Sequence, residues 1–230
     1  NSYYETYDKL VLSPGGMPVR PVIPGINSSK IFTLRNLTDM DLIIDAVKNE
    51  TCKKVAVIGA GFIGLELAEN LADLGLNVSI VELSDQVMNI IDYEMSTYIH
   101  QHLKAKNVEL FLSDAVMSFD EVENGMDLTL ISGRKINADV AVLSIGVKPE
   151  KKLAEDCGLK IGELGGIAVT SKMLTSDEDI YALGDVIEIQ DIVSGKPALI
   201  PLANSANKQG RMVADNIMGG EREYKGTPAT

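Results

Sequence analysis

Between Val55 and Glu82 the hydrophobic pattern changes period twice. Val55–Ile58 is an unbroken apolar run, glycines interrupt it, and helical spacing then takes over, with Ile63, Leu67, Leu71 and Leu74 recurring at intervals of 4, 4 and 3. From Val78 to Val81 the chain is strand-like again. The order strand, helix, strand follows, with those four residues expected as the helix's buried stripe. Elsewhere Tyr7–Ser13 reads as a strand, and Pro18, Pro21 and Pro24 make 14–27 an extended connector. Thr38-x-x-Asp41 has the form of a capping box opening a helix through Leu42, Ile43, Ala46 and Val47. A second helix is expected from about Asp92 to Lys106, with Met95, Ile99 and Leu103 on one face, and then a strand over Val108–Leu112.

Residues 115–137 break this rhythm into two or three short strands, turning at Asn124-Gly125 and Ser132-Gly133. Asp139–Ile145 contains the run Val140-Ala141-Val142-Leu143, which suits a strand covered on both faces. Ile180–Leu183 reads as a short strand running into Gly184-Asp185, 186–192 and 196–200 as a hairpin, and 202–218 as a closing helix stopped by Gly219-Gly220. The chain is therefore of the α/β class.

The glycines after Val55–Ile58 are Gly59-x-Gly61-x-x-Gly64, in the place where a dinucleotide-binding βαβ unit carries them. Gly59 permits the turn, Gly61 lets backbone approach a pyrophosphate, and Gly64 lets the helix lie close to the sheet. The helix N-terminus offers free N–H groups to the phosphates. Glu82 stands 23 positions after Gly59, near the ~20 usual for the acid that binds the adenosine ribose. Its carboxylate would repel a 2′-phosphate, and no Lys or Arg follows in 83–88 to neutralise one. NADH is expected over NADPH; on this unit alone FAD stays open.

Composition narrows the rest. The 230 residues are 45% hydrophobic and 23% charged, as in an ordinary globular protein. A net charge of −12 argues against nucleic acid and anionic membranes as partners. Two cysteines, Cys52 and Cys157, make neither a disulfide framework nor a CxxC pair, and both are expected to be inert; a reducing, cytoplasmic setting fits. No segment has the length of a membrane span, and no signal peptide is visible. His100 and His102 are two apart on a helix and cannot chelate together, so no metal site is expected. The start at Asn1, almost directly in a strand, reads as a piece of a longer protein.

Several segments together resemble the FAD-dependent pyridine nucleotide-disulfide oxidoreductases. They are Tyr7–Gly15, Ile23-Pro24-Gly25-Ile26, Gly59–Glu66, Ile145-Gly146-Val147-Lys148-Pro149, Thr175–Asp185 and Pro201-Leu202-Ala203 through Lys208-Gln209-Gly210. The branch it is most similar to holds coenzyme A-disulfide reductases, NADH oxidases and NADH peroxidases. The resemblance implies a Rossmann-like NAD domain, with a parallel sheet and an antiparallel meander, inserted into a partial FAD domain. It divides the chain into 1–27 (end of a first FAD segment), 28–147 (NAD domain), 148–220 (second FAD segment) and 221–230 (linker to a dimerisation domain, through which the whole protein would be a homodimer).

The resemblance also implies roles. Gly59, Gly61, Phe62, Ile63, Gly64, Glu66, Glu82 and Gly146 would serve NADH, with Phe62 covering the flavin until nicotinamide displaces it. Asp185 would bind the ribityl hydroxyls of FAD, and Leu202 and Ala203 would offer backbone N–H groups to the flavin. Asn207 and Lys208 would lie near a coenzyme A groove. No catalytic residue is expected within the chain: the redox cysteine would precede Asn1. The activity implied is hydride transfer from NADH to FAD and on to that cysteine, which reduces CoA-disulfide, a persulfide or a related small acceptor. An NADH oxidase or peroxidase, a ferredoxin or rubredoxin reductase type, and an NADH-binding module without turnover are the alternatives.

Overall fold

The computed structural model describes residues 3–49, 51–123 and 125–228. Asn124, half of one expected turn, lies outside them. The chain folds into two compact units: Pro18–Val147 is one, and Asn1–Met17 with Lys148–Thr230 forms the other. Residues 18–27 thus group with the inner unit, where Ile23 and Ile26 join a hydrophobic cluster around Phe119 and Leu128.

The inner unit is built on a five-stranded parallel sheet, in the order Ile31–Thr33, Val140–Leu143, Lys54–Ile58, Asn77–Val81 and Glu109–Phe111. Alternation along the strands sorts the core into two layers. Val55, Val57, Val78, Ile80, Val140 and Val142 face the helices Leu37–Lys48, Phe62–Asp73 and Tyr93–Ala105. Ala56, Ile58, Val81, Ala141 and Leu143 face the other way, onto a three-stranded antiparallel meander of Val116–Val122, Gly125–Leu130 and Lys135–Ala138. The continuous apolar run 140–143 is explained by this sandwiching: all four residues are buried. Asp114 staples the meander. Its carboxylate accepts from the Ser132 hydroxyl, from Arg134 and from two backbone N–H groups, which hold it down at about 2.

Three local expectations are corrected. The first helix is capped at Asn36, not Thr38: the Asn36 side chain accepts from Asp39 N–H, and the Asp39 carboxylate accepts from Arg35 N–H. The buried stripe of Phe62–Asp73 is Gly64, Ala68 and Leu71, while Ile63 and Leu74 are 39% and 67% exposed. Small residues take the N-terminal part of the stripe, where the helix lies close to the glycine turn, and Leu71 fills the wider space further along. In Tyr93–Ala105 Leu103 is buried and Ile99 packs against the core as expected, but Ser96 takes the inward place expected of Met95, which is exposed. A three-residue strand, Gly16–Pro18, also forms within the expected connector.

In the outer unit Leu10–Leu12 pairs parallel with Ile180–Ala182, and Ile187–Gln190 lies between Ile167–Ala168 and Pro197–Ala198, the latter as the expected hairpin. The helix Ala203–Ile217 packs Met212 and Val213 into this unit's core. It ends in a Schellman turn: Gly219, at φ +93°, donates to Asn216 O, and Gly220 donates to Asp215 O. Residues 221–228 then fold back, Tyr224 N–H donating to Ser171 O and Thr227 bridging to Asp191.

Candidate dinucleotide site

Strand Lys54–Ile58 ends at the glycine turn, and each glycine's surroundings can be read separately. Gly59 has φ +102°, and a Cβ there would lie 2.5 Å from Ser144 O. A Cβ on Gly64 would lie 2.0 Å from Gly59 O and 2.7 Å from Ser144 Oγ, so only a glycine lets the helix sit this close to the turn. Gly61 differs: a Cβ there meets nothing within 4 Å, so its backbone borders open space. Gly61 caps the helix without a side-chain bond, leaving the first-turn N–H groups facing the turn.

Glu82 closes the far side of the turn. One carboxylate oxygen accepts from Ala60 N–H at 2.7 Å and the other from Ser84 N–H at 2.8 Å. Each oxygen keeps a further lone pair, so the group can still receive two hydroxyls. The loop after Glu82 returns to the same turn, Met88 N–H donating to Ala60 O at 2.9 Å. Phe62 is 59% exposed at the helix start, and Glu66 is exposed one turn on. Gly146 follows strand Val140–Leu143, and its carbonyl accepts from Val19 N–H at 3.0 Å. Gly59, Gly61, Phe62, Ile63, Gly64, Glu66, Glu82 and Gly146 therefore all belong to the inner unit.

Ser144 is a residue the sequence did not single out. Its hydroxyl lies 3.0 Å from Ile58 O and 2.9 Å from Gly59 O, tying the glycine turn to the segment that leads into Gly146. Gln86 and Ser96, also overlooked, and His100, which the sequence weighed only as a metal ligand, hold the loop beyond Glu82. Buried polar side chains bonded to backbone leave no periodic trace, and the only available signal was their polarity inside otherwise apolar stretches.

The remaining predicted residues lie in the outer unit. Asp185 occupies a single 3-10 turn, Gly184–Val186, after strand Ile180–Ala182. Burial pushes its carboxyl above the usual carboxylate range. Gln209, 1% exposed and also unforeseen, holds this turn by accepting from Gly184 N–H at 2.8 Å. Leu202 caps the last helix, but its N–H already donates to Ile200 O; Ala203 begins the helix. Asn207 and Lys208 are exposed, and the Asn207 amide donates to Ala203 O. Cys52 is buried in the helix–sheet core, which pushes its thiol up, and Cys157 is exposed. Among the described residues no group of three His, Cys, Asp or Glu is placed to hold a metal, and no helix is long and apolar enough to cross a membrane.

A glycine turn this tight, with a helix N-terminus on one side and a bridging carboxylate on the other, defines a dinucleotide-binding α/β protein. The chain belongs to the pyridine nucleotide-disulphide oxidoreductase family, whose model matches residues 3–210. These enzymes use FAD and a nicotinamide dinucleotide. The chain is 34% identical over 225 residues to an NADH oxidase of Methanocaldococcus jannaschii and, equally, to a coenzyme A disulfide reductase of Staphylococcus aureus. Each alignment covers 97% of this chain and 50% of the relative, so the chain spans about half the length of the curated relatives it matches. Among solved structures, that of reduced Bacillus anthracis CoADR-RHD superposes with a TM-score of 0.94 at 48% identity, covering 98% of this chain and 40% of that one.

Proposed function

We propose that the inner unit binds NADH and that the whole protein uses it to reduce a small disulfide or persulfide of the coenzyme A type. The observation that carries the dinucleotide half is the Gly61 backbone bordering open space while Glu82 is held by Ala60 and Ser84. A phosphate can approach the turn and the helix N-terminus, and the fixed carboxylate can accept the adenosine ribose hydroxyls. Phe62, Glu66 and Gly146 are proposed contacts at the nicotinamide end. When bound, the cofactors supply the chemistry: nicotinamide gives a hydride, and FAD accepts it and passes two electrons to sulfur.

Asp185 and the backbone of Leu202 and Ala203 are the proposed FAD contacts, with Gln209 positioning the Asp185 turn. Asn207 and Lys208 are proposed to face the coenzyme A moiety. The redox cysteine is proposed to lie outside these residues, because Cys52 is a core residue and Cys157 follows a short surface helix. The similarity to a coenzyme A disulfide reductase supports the sulfur acceptor, and we propose with it a homodimeric, cytoplasmic protein. The equal similarity to an NADH oxidase favours dioxygen as a second reading of the acceptor.

Titration of the chain with NADH and NADPH tests the site. NADH is expected to bind at least about tenfold more tightly, the order of one charge-assisted hydrogen bond. Glu82→Ala should remove most of that preference by weakening NADH. Equal affinity of the native chain for both nucleotides would overturn the assignment of Glu82.

A further inference from the structure

Beyond Glu82 the chain makes a loop that ends where helix Tyr93–Ala105 begins. The loop is bound into the cofactor turn at its start and near its middle. Ser84 N–H donates to the Glu82 carboxylate, and Met88 N–H donates to Ala60 O, while Ala60 N–H donates to the other Glu82 oxygen. Moving the loop therefore moves the carboxylate. The loop does not hold itself in place: Met88 has φ 50°, a left-handed conformation that methionine avoids without outside support.

That support comes from the helix. Gln86, 9% exposed, donates its amide to Ile91 O at 2.8 Å and to Ser96 Oγ at 2.9 Å. The Ser96 hydroxyl, fully buried, donates to Val87 O at 2.9 Å. The last tie is the one that can be switched. Val87 is fully buried, and its N–H donates to His100 Nε2 at 3.1 Å. An imidazole nitrogen accepts only when it carries no proton, so the bond exists only with neutral His100. An imidazolium would present a second N–H to the Val87 N–H, leaving a buried amide unpaired.

We infer that His100 is a positioning residue for the NADH site, making dinucleotide affinity depend on pH through the loop that carries Val87. The inference rests on the dinucleotide reading of the Glu82 turn.

Among the groups around His100, the Tyr93 ring meets it edge to face at 6.3 Å. Lys104 is one turn further along the same helix, Asp92 and Glu94 start that helix, Asp85 is on the loop, and Glu109 is on the neighbouring strand; all five are exposed. Glu82, half-buried, is the charged group to which the loop's Ser84 N–H is bonded. The chain holds one other histidine, His102, on a different face of the helix and exposed. A histidine-range pH effect on binding therefore has two candidate side chains, and the hydrogen bonding separates them.

The experiment measures the NADH dissociation constant of the chain from about pH 8 down to about pH 5.5, the range in which a histidine changes charge. The native chain should lose about tenfold in affinity as pH falls, the worth of one buried hydrogen bond and its stranded partner. His100→Gln, whose side-chain carbonyl accepts at every pH, should bind as the native chain does at high pH and show a flat profile. His100→Leu should bind about tenfold more weakly throughout. His102→Gln should keep the native slope. A flat native profile, an unchanged slope in His100→Gln, or a slope lost in His102→Gln each overturns the inference. Failure of the native chain to bind NADH at the high end removes the dinucleotide reading and this inference with it.

Discussion

Two glycines three positions apart, Gly61 and Gly64, do opposite work. The missing side chain of Gly64 is needed by the fold, since a methyl would press on Gly59 O at 2.0 Å, an atom of the backbone that cannot swing away. That of Gly61 answers no need of the fold, since a methyl would enter empty space, and is proposed to serve the ligand. Gly64→Ala should therefore lower stability in urea unfolding by about 3 kcal/mol, the upper range for overpacking. Gly61→Ala, in an extended conformation open to any residue, should leave stability within about 0.5 kcal/mol while weakening NADH about tenfold. The glycine pattern is legible in sequence because its requirements are local. Ser144 is not, because its partners Ile58 and Gly59 are 86 and 85 positions away, and only folding brings them to it.

At the scale of elements, the helices and all strands of the inner parallel sheet except the three-residue edge strand Ile31–Thr33 could be placed from periodicity, and the meander from its turn residues. What periodicity missed was which helix face looks inward. In Phe62–Asp73 the branched residues make the conspicuous spacing, yet Gly64 and Ala68 join Leu71 on the buried face, because closeness to the turn's backbone favours small residues at the helix start. The first helix shows the same limit at its cap. Asn36 and Thr38 both have capping side chains, and the one preceding the first turn is Asn36. Asn36→Ala should cost about 1 kcal/mol in thermal or urea unfolding, and Thr38→Ala less than about 0.5 kcal/mol. Reversal of that order would move the helix start.

For the whole molecule, the division into units carries its own expectation. The inner unit is one continuous stretch with two packed core layers and every residue assigned to NADH, whereas the outer unit needs segments from both ends of the chain. Residues 18–147 alone should unfold cooperatively and bind NADH within about twofold of the whole chain. Loss of binding on excision would mean that the cofactor site draws on the outer unit. In the outer unit the strands Leu10–Leu12 and Ile180–Ala182, the hairpin and the last helix were legible, whereas the five-residue helix Lys152–Asp156 and the two-residue strand Ile167–Ala168 were too short to leave a period.

The bond from Val19 N–H to Gly146 O has a consequence for the order of events during folding. It fastens the two ends of the inner unit to each other, so once that unit has formed, Met17 and Lys148 are delivered side by side by the covalent chain. The outer unit must pair segments as remote as Lys9 and Asp179, 170 positions apart. Closing so long a loop in an unstructured chain carries an entropy penalty that a preformed inner unit has already met. The inserted stretch then acts, for the segments that flank it, as a short connection, and the outer unit is expected to form after the inner one.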